Sequence, residues 1–333
     1  MVIKEVVLPT EKKRIEGFLQ QFGLIYESNI DQTIYMENDG EIVATLSASK
    51  YIIKCLAVNE QYRSENLAVK LISEMIKRFH NAGIYYYQVF TKPIYREVFV
   101  SLGFNTVLET DKVVMMEGGE GDIHTSVQKM RVQMKFNLGM VVGESDIACI
   151  VINGNPFTNG HLKLVEYVAA RHQYVLVFVV QEDCSYFTFK ERYAMAYLAL
   201  KPLGNVLVLP SSEYIVSSAT FPGYFLKTVD ETTEEYAKCD ALIFTNYFMP
   251  LLGICKRYVG EETSDYMRIY NRTLQKILGE KLEILPRFEQ DGQIISAGRV
   301  RSLIEEGRLE EALQFIPKSN YSVIKGMILS KHE

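Results

Sequence analysis

Residues 147–170 read IACIVINGNPFTNGHLKLVEYVAA and carry a strand signal, a turn signal and a helix signal in that order. The first six residues are a short apolar run rich in β-branched side chains, which is typical of a buried strand in a parallel sheet. A Gly-Asn-Pro turn follows, and Thr158 or Asn159 can cap the helix after it. The helix is indicated by apolar residues at helical spacing, namely Leu162, Val165, Val168 and Ala169. The pattern therefore predicts a strand and then a helix whose N-terminus lies above a sheet.

A helix N-terminus in this position can bind a phosphate group. Its first backbone N–H groups have no partner within the helix, and the helix dipole favours negative charge. His161 stands in the first turn, where a ring nitrogen can donate a hydrogen bond to a phosphate oxygen. The alternative is an ordinary strand–helix connection in which Gly160 and His161 are neighbours by chance.

Residues 158–161, Thr-Asn-Gly-His, resemble the (His/Thr)-x-Gly-His signature of the nucleotidyltransferase superfamily. The resemblance implies that Gly160 lets the nucleotide approach the backbone closely. It also implies that Thr158 and His161 stabilise the charge that builds up on the α-phosphate during transfer.

A second signature lies near the end of the chain, where residues 295–304 read ISAGRVRSLI. Ser296 can cap a helix whose first turn carries Arg299 and Arg301. This stretch resembles the Ile-Ser-x-x-x-(Ile/Val)-Arg signature of the same superfamily, which holds the β- and γ-phosphates of ATP. Free N–H groups and arginine side chains suit that task.

The composition is that of an ordinary globular protein of two domains, with 333 residues, 48% hydrophobic and 23% charged. The net charge of -5 gives no reason to expect nucleic-acid or membrane partners. No apolar run approaches the length of a membrane span, and the N-terminus is too charged for a signal peptide. The five cysteines form no Cys-x-x-Cys pair. We therefore expect a cytoplasmic protein with reduced thiols and no metal-ligand residues.

The first 130 residues resemble a GNAT-type acetyltransferase domain in the order of their predicted helices and strands. The turn at residues 38–40 joins two strand patterns, and residues 99–104 match the Phe-x-x-x-Gly-Phe ending of that family. Residues 63–68 stand where the family binds the pyrophosphate of acetyl-coenzyme A. Asn66 replaces the central glycine there, so a docking or scaffold role is favoured over acetyl transfer.

The second half predicts a parallel sheet, because strand and helix patterns alternate with the spacing of right-handed βαβ units. After the strand at residue 147, the further predicted strands are Tyr174–Val180, Val206–Leu209, Ala241–Thr245 and Leu282–Leu285. We therefore predict an α/β protein. An N-terminal GNAT-like α+β domain, residues 1–130, precedes a Rossmann-like, cytidylyltransferase-like nucleotidyltransferase domain, residues 146–333.

Several stretches together resemble the citrate lyase ligase family over nearly the whole chain. They are NPFTNGH, FTFKER, SSATFPGYF, RYVGEE, Tyr270-Asn271 and ISAGRVR. One departure is Gly298, where the family is expected to have serine. The loss of that hydroxyl is expected to loosen the triphosphate site.

This resemblance implies an AMP-forming acid-thiol ligase that uses ATP with Mg²⁺. Acetate and ATP would form acetyl-AMP, and the acetyl group would pass to a dephospho-coenzyme-A-type thiol on the acyl-carrier subunit of citrate lyase. Ser296 and Arg301 would hold the β- and γ-phosphates, and Lys190 or Arg192 would steer acetate. The residues expected to shape the adenosine pocket are Gly154, Asn155 and Phe157.

Three other functions are considered at this point. The first is an adenylyltransferase that joins AMP to a phosphorylated cofactor such as phosphopantetheine. The loop at residues 214–225 has few basic residues to hold such an acceptor. The second is an acetyl-coenzyme-A-dependent acetyltransferase that uses the N-terminal domain. The third is a non-catalytic nucleotide sensor with a docking domain, and the presence of Thr158, His161 and Arg301 argues against it.

Overall fold

The computed structural model describes the chain except for residues 140–142, 144–145, 183–184, 216–220, 222, 227, 263, 291–292 and 333. The chain forms two compact units. One comprises Met1–Asp122 and Pro222–Glu235, and the other comprises Ile123–Phe221 and Tyr236–Glu333. The division thus falls at Asp122 rather than at 130, and the first unit also takes in a later segment.

The first unit is a seven-stranded sheet with helices, as the GNAT-like pattern predicted. Its strands are β1 (Ile3–Glu5), β2 (Gln32–Asn38), β3 (Glu41–Ser49), β4 (Ile52–Val58), β5 (Tyr86–Thr91), β6 (Asn105–Glu109) and β7 (Val114–Gly119). Its helices are α1 (Pro9–Gln20), α2 (Leu67–Asn81) and α3 (Arg96–Val100), with 3₁₀ turns at Glu60–Glu65 and Pro93–Tyr95. The strand order is β1-β2-β3-β4-β5-β7-β6.

Strands β4 and β5 are parallel neighbours that pair at only two positions, which involve the first two residues of β4. Ile52 lies opposite Gln88 and Ile53 lies opposite Val89, and no further pair is formed between the two strands as described. All the other neighbouring strands of this sheet are antiparallel. The two parallel strands therefore diverge and leave a gap in the sheet.

One backbone prediction in the first unit is confirmed. The hairpin turn between β2 and β3 has positive φ at Asp39 and Gly40, as a tight two-residue hairpin requires. Asn66 adopts the left-handed conformation, with φ 55°, directly before α2. Asparagine accepts this conformation more readily than most residues, so the chain turns here without glycine.

The second unit is built on a five-stranded parallel sheet. Its strands are β8 (Ile147–Ile152), β9 (Tyr174–Val179), β10 (Val206–Pro210), β11 (Ile254–Gly260) and β12 (Leu282–Leu285), in the order β10-β9-β8-β11-β12. The other elements of this unit are α4 (Ile123–Leu138), α5 (Asn159–Ala169), α6 (Phe189–Leu200), the part of α7 (Val229–Ile243) that follows Glu235, α8 (Met249–Leu252), α9 (Asp265–Leu278), the hairpin β13 (Glu289–Gln290) and β14 (Gln293–Ile294), α10 (Ala297–Glu305), α11 (Leu309–Leu313) and α12 (Tyr321–His332). The predicted strand–turn–helix is β8 and α5, and α5 buries Leu164, Val165 and Val168.

One predicted strand is wrong. Residues 241–245 lie at the end of α7 and in a π-helical turn, Phe244–Phe248. Their short apolar run is buried in a helix, and periodicity alone cannot distinguish a buried helix from a buried strand at this length. The missing strand is β11, whose pattern was hidden because it carries the buried, charged Arg257.

Candidate functional site

A cavity of about 460 Å³ lies at the carboxyl ends of β8, β11 and β12. Ligands of open parallel sheets bind at this edge. Seven of the residues predicted from the sequence line it: Gly154, Asn155, Thr158, Gly160, His161, Ser296 and Arg301. Two helix starts separated by more than a hundred residues therefore contribute to one cavity.

Thr158 is the N-cap of α5, and it determines which nitrogen of His161 carries the proton. The backbone N–H of Thr158 donates to Nδ1 of His161 at 3.0 Å. The Thr158 hydroxyl oxygen lies 2.9 Å from the same nitrogen. Because Nδ1 accepts, the proton of the neutral ring must be on Nε2. That nitrogen is left as a donor for a ligand.

Burial lowers the pKa of His161 to about 4. The residue keeps some solvent exposure where it lines the cavity, but the bonds that Nδ1 accepts also favour the neutral ring. His161 is therefore a neutral hydrogen-bond donor at pH 7. A phosphate group beside it would raise its pKa.

The second helix start is joined to the first through Arg301. The hydroxyl of Ser296 caps α10 by accepting from the N–H of Arg299 at 3.5 Å. Arg301 donates from Nη1 to the carbonyl oxygen of Asn155 at 2.5 Å. A Cβ on Gly160 would lie 3.4 Å from the side chain of Ile295, at the limit of ordinary van der Waals contact, so α5 and the residue before the cap of α10 lie close together.

Four predicted site residues lie elsewhere. Phe157 is fully buried in the core of the second unit. Lys190 is exposed on α6. Arg299 is exposed and lies over the ring of Phe315 at 4.9 Å. Arg192 is fully buried, and none of the four belongs to the wall of the cavity.

Arg192 donates mainly to backbone carbonyl groups, and its Nη1 also donates to the side-chain oxygen of Asn153 at 2.7 Å. Its Nε donates to the carbonyl of Phe187, and its Nη1 donates to the carbonyls of Asn153 and Val180. Its Nη2 donates to the carbonyl of Glu182. The guanidinium therefore fixes the loops that follow β8 and β9, and this geometry is that of a positioning residue.

Arg257 of β11 is a buried charged residue of the site for which the sequence motifs indicated no role. Arg257 is 1% exposed and forms an ion pair of 2.8 Å with Asp240 of α7. Tyr270 of α9 donates to Asp240 at 2.6 Å and accepts from Arg257 at 3.1 Å. Arg257 and Tyr270 line the cavity. The only sequence signal was the presence of both residues in motifs shared with the citrate lyase ligase family.

The described residues contain one group of three potential metal ligands. Asp146, His172 and Cys255 bring their ligand atoms within 4.8 Å of one another. They lie at the amino ends of β8 and β11, away from the cavity wall. His172 donates or accepts at both nitrogens, toward Asp146 and the hydroxyl of Tyr258. Burial and then Asp146 raise the pKa of Cys255 to about 11, which keeps the thiol protonated.

The first unit has a cavity of its own, of about 300 Å³, in the gap between β4 and β5. Its wall is mainly apolar, and Lys54 contributes a buried charge. Lys54 donates to Glu27 at 2.8 Å and to Asn29 at 3.2 Å. Tyr224 also lines this cavity and donates from its hydroxyl to the carbonyl of Phe90 at 3.1 Å.

The fold and the site define an α/β protein in which a GNAT-like unit accompanies a parallel-sheet unit with a cavity between two helix N-termini. A family model described as the citrate lyase ligase C-terminal domain matches residues 147–324. The chain belongs to the citrate lyase ligase family.

Three relatives named citrate (pro-3S)-lyase ligase match almost the whole chain. The protein from Klebsiella pneumoniae is 29% identical over 345 residues, covering 100% of this chain and 99% of its own length. The protein from Haemophilus influenzae is 30% identical and covers 96% of this chain and 97% of its own length. The protein from Escherichia coli is 30% identical, with 94% and 90% covered.

Solved structures that match are acetyltransferases with low identity. The ribosomal-protein-S18-alanine N-acetyltransferase of Escherichia coli is 14% identical, with a TM-score of 0.29, and covers 36% of this chain and 97% of its own. An aminoglycoside 6'-N-acetyltransferase complexed with coenzyme A is 13% identical, with a TM-score of 0.32, and covers 36% and 97%. Separately, among the residues that the structure describes, no helix combines the length and apolar character needed to cross a membrane.

Proposed function

We propose that the protein activates citrate lyase by acetylating the thiol of a prosthetic group on its acyl-carrier subunit, with ATP and acetate as substrates. The names of the relatives support citrate lyase as the target. The observation that carries the proposal is that His161, Ser296 and Arg301 line one cavity at the edge of a parallel sheet.

The first step is adenylation of acetate. A carboxylate oxygen of acetate attacks the α-phosphorus of ATP, the bond to the β-phosphate oxygen breaks, and pyrophosphate leaves. His161 donates from Nε2 to an α-phosphate oxygen as charge develops there. The start of α10 and Arg301 hold the leaving pyrophosphate. Such a site works by positioning and by fixed donors rather than by covalent catalysis.

The second step transfers the acetyl group. The carrier thiol loses its proton, and its sulfur attacks the acetyl carbonyl of acetyl-AMP. The bond from that carbonyl carbon to the phosphate oxygen breaks, and AMP leaves. No oxidant or reductant is needed, because a carboxylic–phosphoric anhydride is exchanged for a thioester.

Mg²⁺ would enter with ATP, bound to the phosphate oxygens, and would neutralise part of their charge. The cavity wall includes Glu261, whose carboxylate is an oxygen ligand of the type that Mg²⁺ prefers.

The test is acetate-dependent exchange of labelled pyrophosphate into ATP with Mg²⁺. Wild type is expected to exchange only when acetate is present. His161→Ala should lower the rate by about 100-fold or more, because one charge-stabilising donor is lost. His161→Gln is the matched control, since it keeps a side-chain N–H near Nε2 and should retain more activity than alanine.

The rival functions predict other outcomes. Exchange that needs phosphopantetheine and ignores acetate would support the adenylyltransferase. Acetylation of a carrier thiol by acetyl-coenzyme A without ATP would support an acetyltransferase in the first unit, whose cavity between β4 and β5 keeps that alternative open. Either result would overturn the ligase proposal.

A further inference from the structure

Arg257 places a positive charge in the middle of the second sheet. It lies on β11, opposite Cys149 of β8, and is 1% exposed. Burying a guanidinium is costly unless its charge and its donors are satisfied. A buried arginine at this position needs a physical explanation, because apolar residues occupy most positions of the sheet.

Only part of the guanidinium is satisfied. Nη2 is bound by Asp240 and Tyr270. Nε and Nη1 have no hydrogen-bond partner among the described residues, and the same holds for Oδ1 of Asp240. Buried polar atoms nearly always have a partner, in the protein, in ordered water or in a ligand. The two nitrogens are donors and therefore mark a place where a water or a ligand can accept hydrogen bonds. Oδ1 of Asp240 is an acceptor, so its partner must be a donor such as water.

The surroundings select a small ligand with one apolar end. Arg257, Tyr236 and Tyr270 all line the cavity that contains His161. The rings of Tyr236 and Tyr270 are stacked at 5.1 Å, and the guanidinium lies over the ring of Phe244 at 4.6 Å. A guanidinium that keeps unused donors among aromatic rings suits an anion that carries a short hydrocarbon group.

The charge balance argues against a phosphate at this position. Asp240 already neutralises much of the charge of Arg257, so the pair favours a monoanion over a polyanion. Phosphate groups bind more favourably at the starts of the helices that carry His161 and Ser296, because free N–H groups and the helix dipole attract negative charge there.

We propose that Arg257 binds the carboxylate of a short-chain carboxylic acid, acetate in the proposed reaction, and that Tyr236 and Tyr270 enclose its hydrocarbon end. Asp240 is a positioning residue that fixes the guanidinium. The assignment of acetate rests on the proposed function, whereas the carboxylate site stands on the geometry of Arg257.

Kinetics provide the first test. Arg257→Lys keeps the charge but loses the guanidinium donors, and should raise the acetate KM by about 10-fold or more while the ATP KM changes less than about twofold, because bonds to charged groups are strong. Arg257→Met with Asp240→Asn removes the pair without leaving a buried charge, and guards against a folding failure of the single variant. Arg268→Met, on the exposed face of α9, is the matched control and should leave both KM values unchanged.

Acid selectivity separates binding from a structural role. Tyr236→Ala should raise kcat/KM for butyrate relative to acetate, since the enclosed space becomes longer. A merely structural aromatic residue would change both acids equally. Equal changes, or an unaltered acetate KM in the Arg257 variants, would overturn the proposal.

A binding measurement keeps the two proposals distinguishable. The line width of carbon-13 acetate is recorded with the wild type and Arg257→Lys, in the presence of a non-hydrolysable ATP analogue. Broadening in the wild type that is lost in Arg257→Lys supports the carboxylate site even if the wild type shows no exchange, in which case only the proposed function fails. Exchange with unchanged acetate binding in Arg257→Lys defeats only the Arg257 assignment. Absence of both exchange and binding defeats both.

Discussion

The cavity of the first unit and the cavity that contains His161 in the second unit each have a buried cation in their wall, and the two cations differ in how far their hydrogen-bond donors are satisfied. In the first unit, Lys54 is 1% exposed, and Glu27 and Asn29 both accept from it. In the second unit, Arg257 is equally buried but keeps two nitrogens without a partner among the described residues. Both cavities offer space, so space alone does not distinguish them.

The difference shows why unsatisfied donors indicate function better than volume does. A cation whose donors are all used stabilises the fold and has little left for a ligand. A cation held on one side by a carboxylate and a tyrosine has its orientation fixed and its other donors available. The donors of Arg192 are used within the protein, whereas Arg257 keeps donors available, although both are buried arginines of the same unit.

The largest change in stability is expected at Arg192, which tests most directly whether a buried cation with satisfied donors has a structural role. Arg192→Ala leaves several buried carbonyl groups without a donor, and should lower the free energy of unfolding by about 3–5 kcal/mol. Urea denaturation measures this. Lys190→Ala is the control on the same helix, and an exposed change of this kind should stay within about 0.5 kcal/mol. A stable Arg192→Ala variant that raises only the acetate KM would instead support the role predicted from the sequence.

The fold was largely predictable because its signals are local. The hairpin at residues 38–40, the strand–turn–helix at β8 and α5, and the caps Thr158 and Ser296 each depend on a few consecutive residues. Strand β11 escaped prediction because Arg257 interrupts its apolar pattern. Residues 241–245 were misassigned because a buried helix end and a buried strand have the same composition.

The residues of the site were predictable only where they belong to a short motif of consecutive residues. His161 and Arg301 belong to motifs, and both line the cavity. The pair formed by Arg257 and Asp240 joins a strand to a helix, and no sequence spacing specifies such a contact. Arg192 illustrates the converse, since a charge at a helix start suggests a ligand until the carbonyls around it are known.

In the first unit, Lys54 tests whether a buried cation with hydrogen-bond partners stabilises the fold without taking part in the reaction. Lys54→Met leaves Glu27 without its partner and should lower the free energy of unfolding by about 1–3 kcal/mol, less than for a fully buried acid because Glu27 is partly exposed. Lys54→Met with Glu27→Gln should recover much of that loss. Neither variant should change the rate of acetate-dependent exchange. A loss of exchange in the stable double variant would show that the first cavity takes part in adenylation.

The protonation of His161 gives a pH-dependent effect. The pKa of His161 in the folded protein is lowered to about 4. The contribution of the neutral ring to the free energy of unfolding is therefore fully present above the pKa of histidine in the unfolded chain, and it is lost as the pH falls through 4. Between pH 7 and pH 4, wild type should therefore lose roughly 2–3 kcal/mol more unfolding free energy than His161→Gln. Urea titrations at several pH values measure the difference. Nitrogen-15 spectra at pH 7 should show the proton on Nε2, and a proton on Nδ1 would contradict the proposed donor.

The smallest effect is expected at Gly298, which lines the cavity beside Ser296. A Cβ there would lie 3.4 Å from the hydroxyl oxygen of Ser296 and 3.8 Å from Nη2 of Arg301, so a serine fits closely without a strained backbone. Gly298→Ser should lower the ATP KM about threefold, the value of one neutral hydrogen bond, and leave the acetate KM unchanged. Gly298→Ala is the control, because it gives the helix the same gain over glycine without a hydroxyl. If both variants shift the ATP KM equally, helix stability explains the effect. If Gly298→Ser raises the ATP KM, the added side chain crowds Arg301, and the prediction that a hydroxyl at this position strengthens ATP binding is wrong.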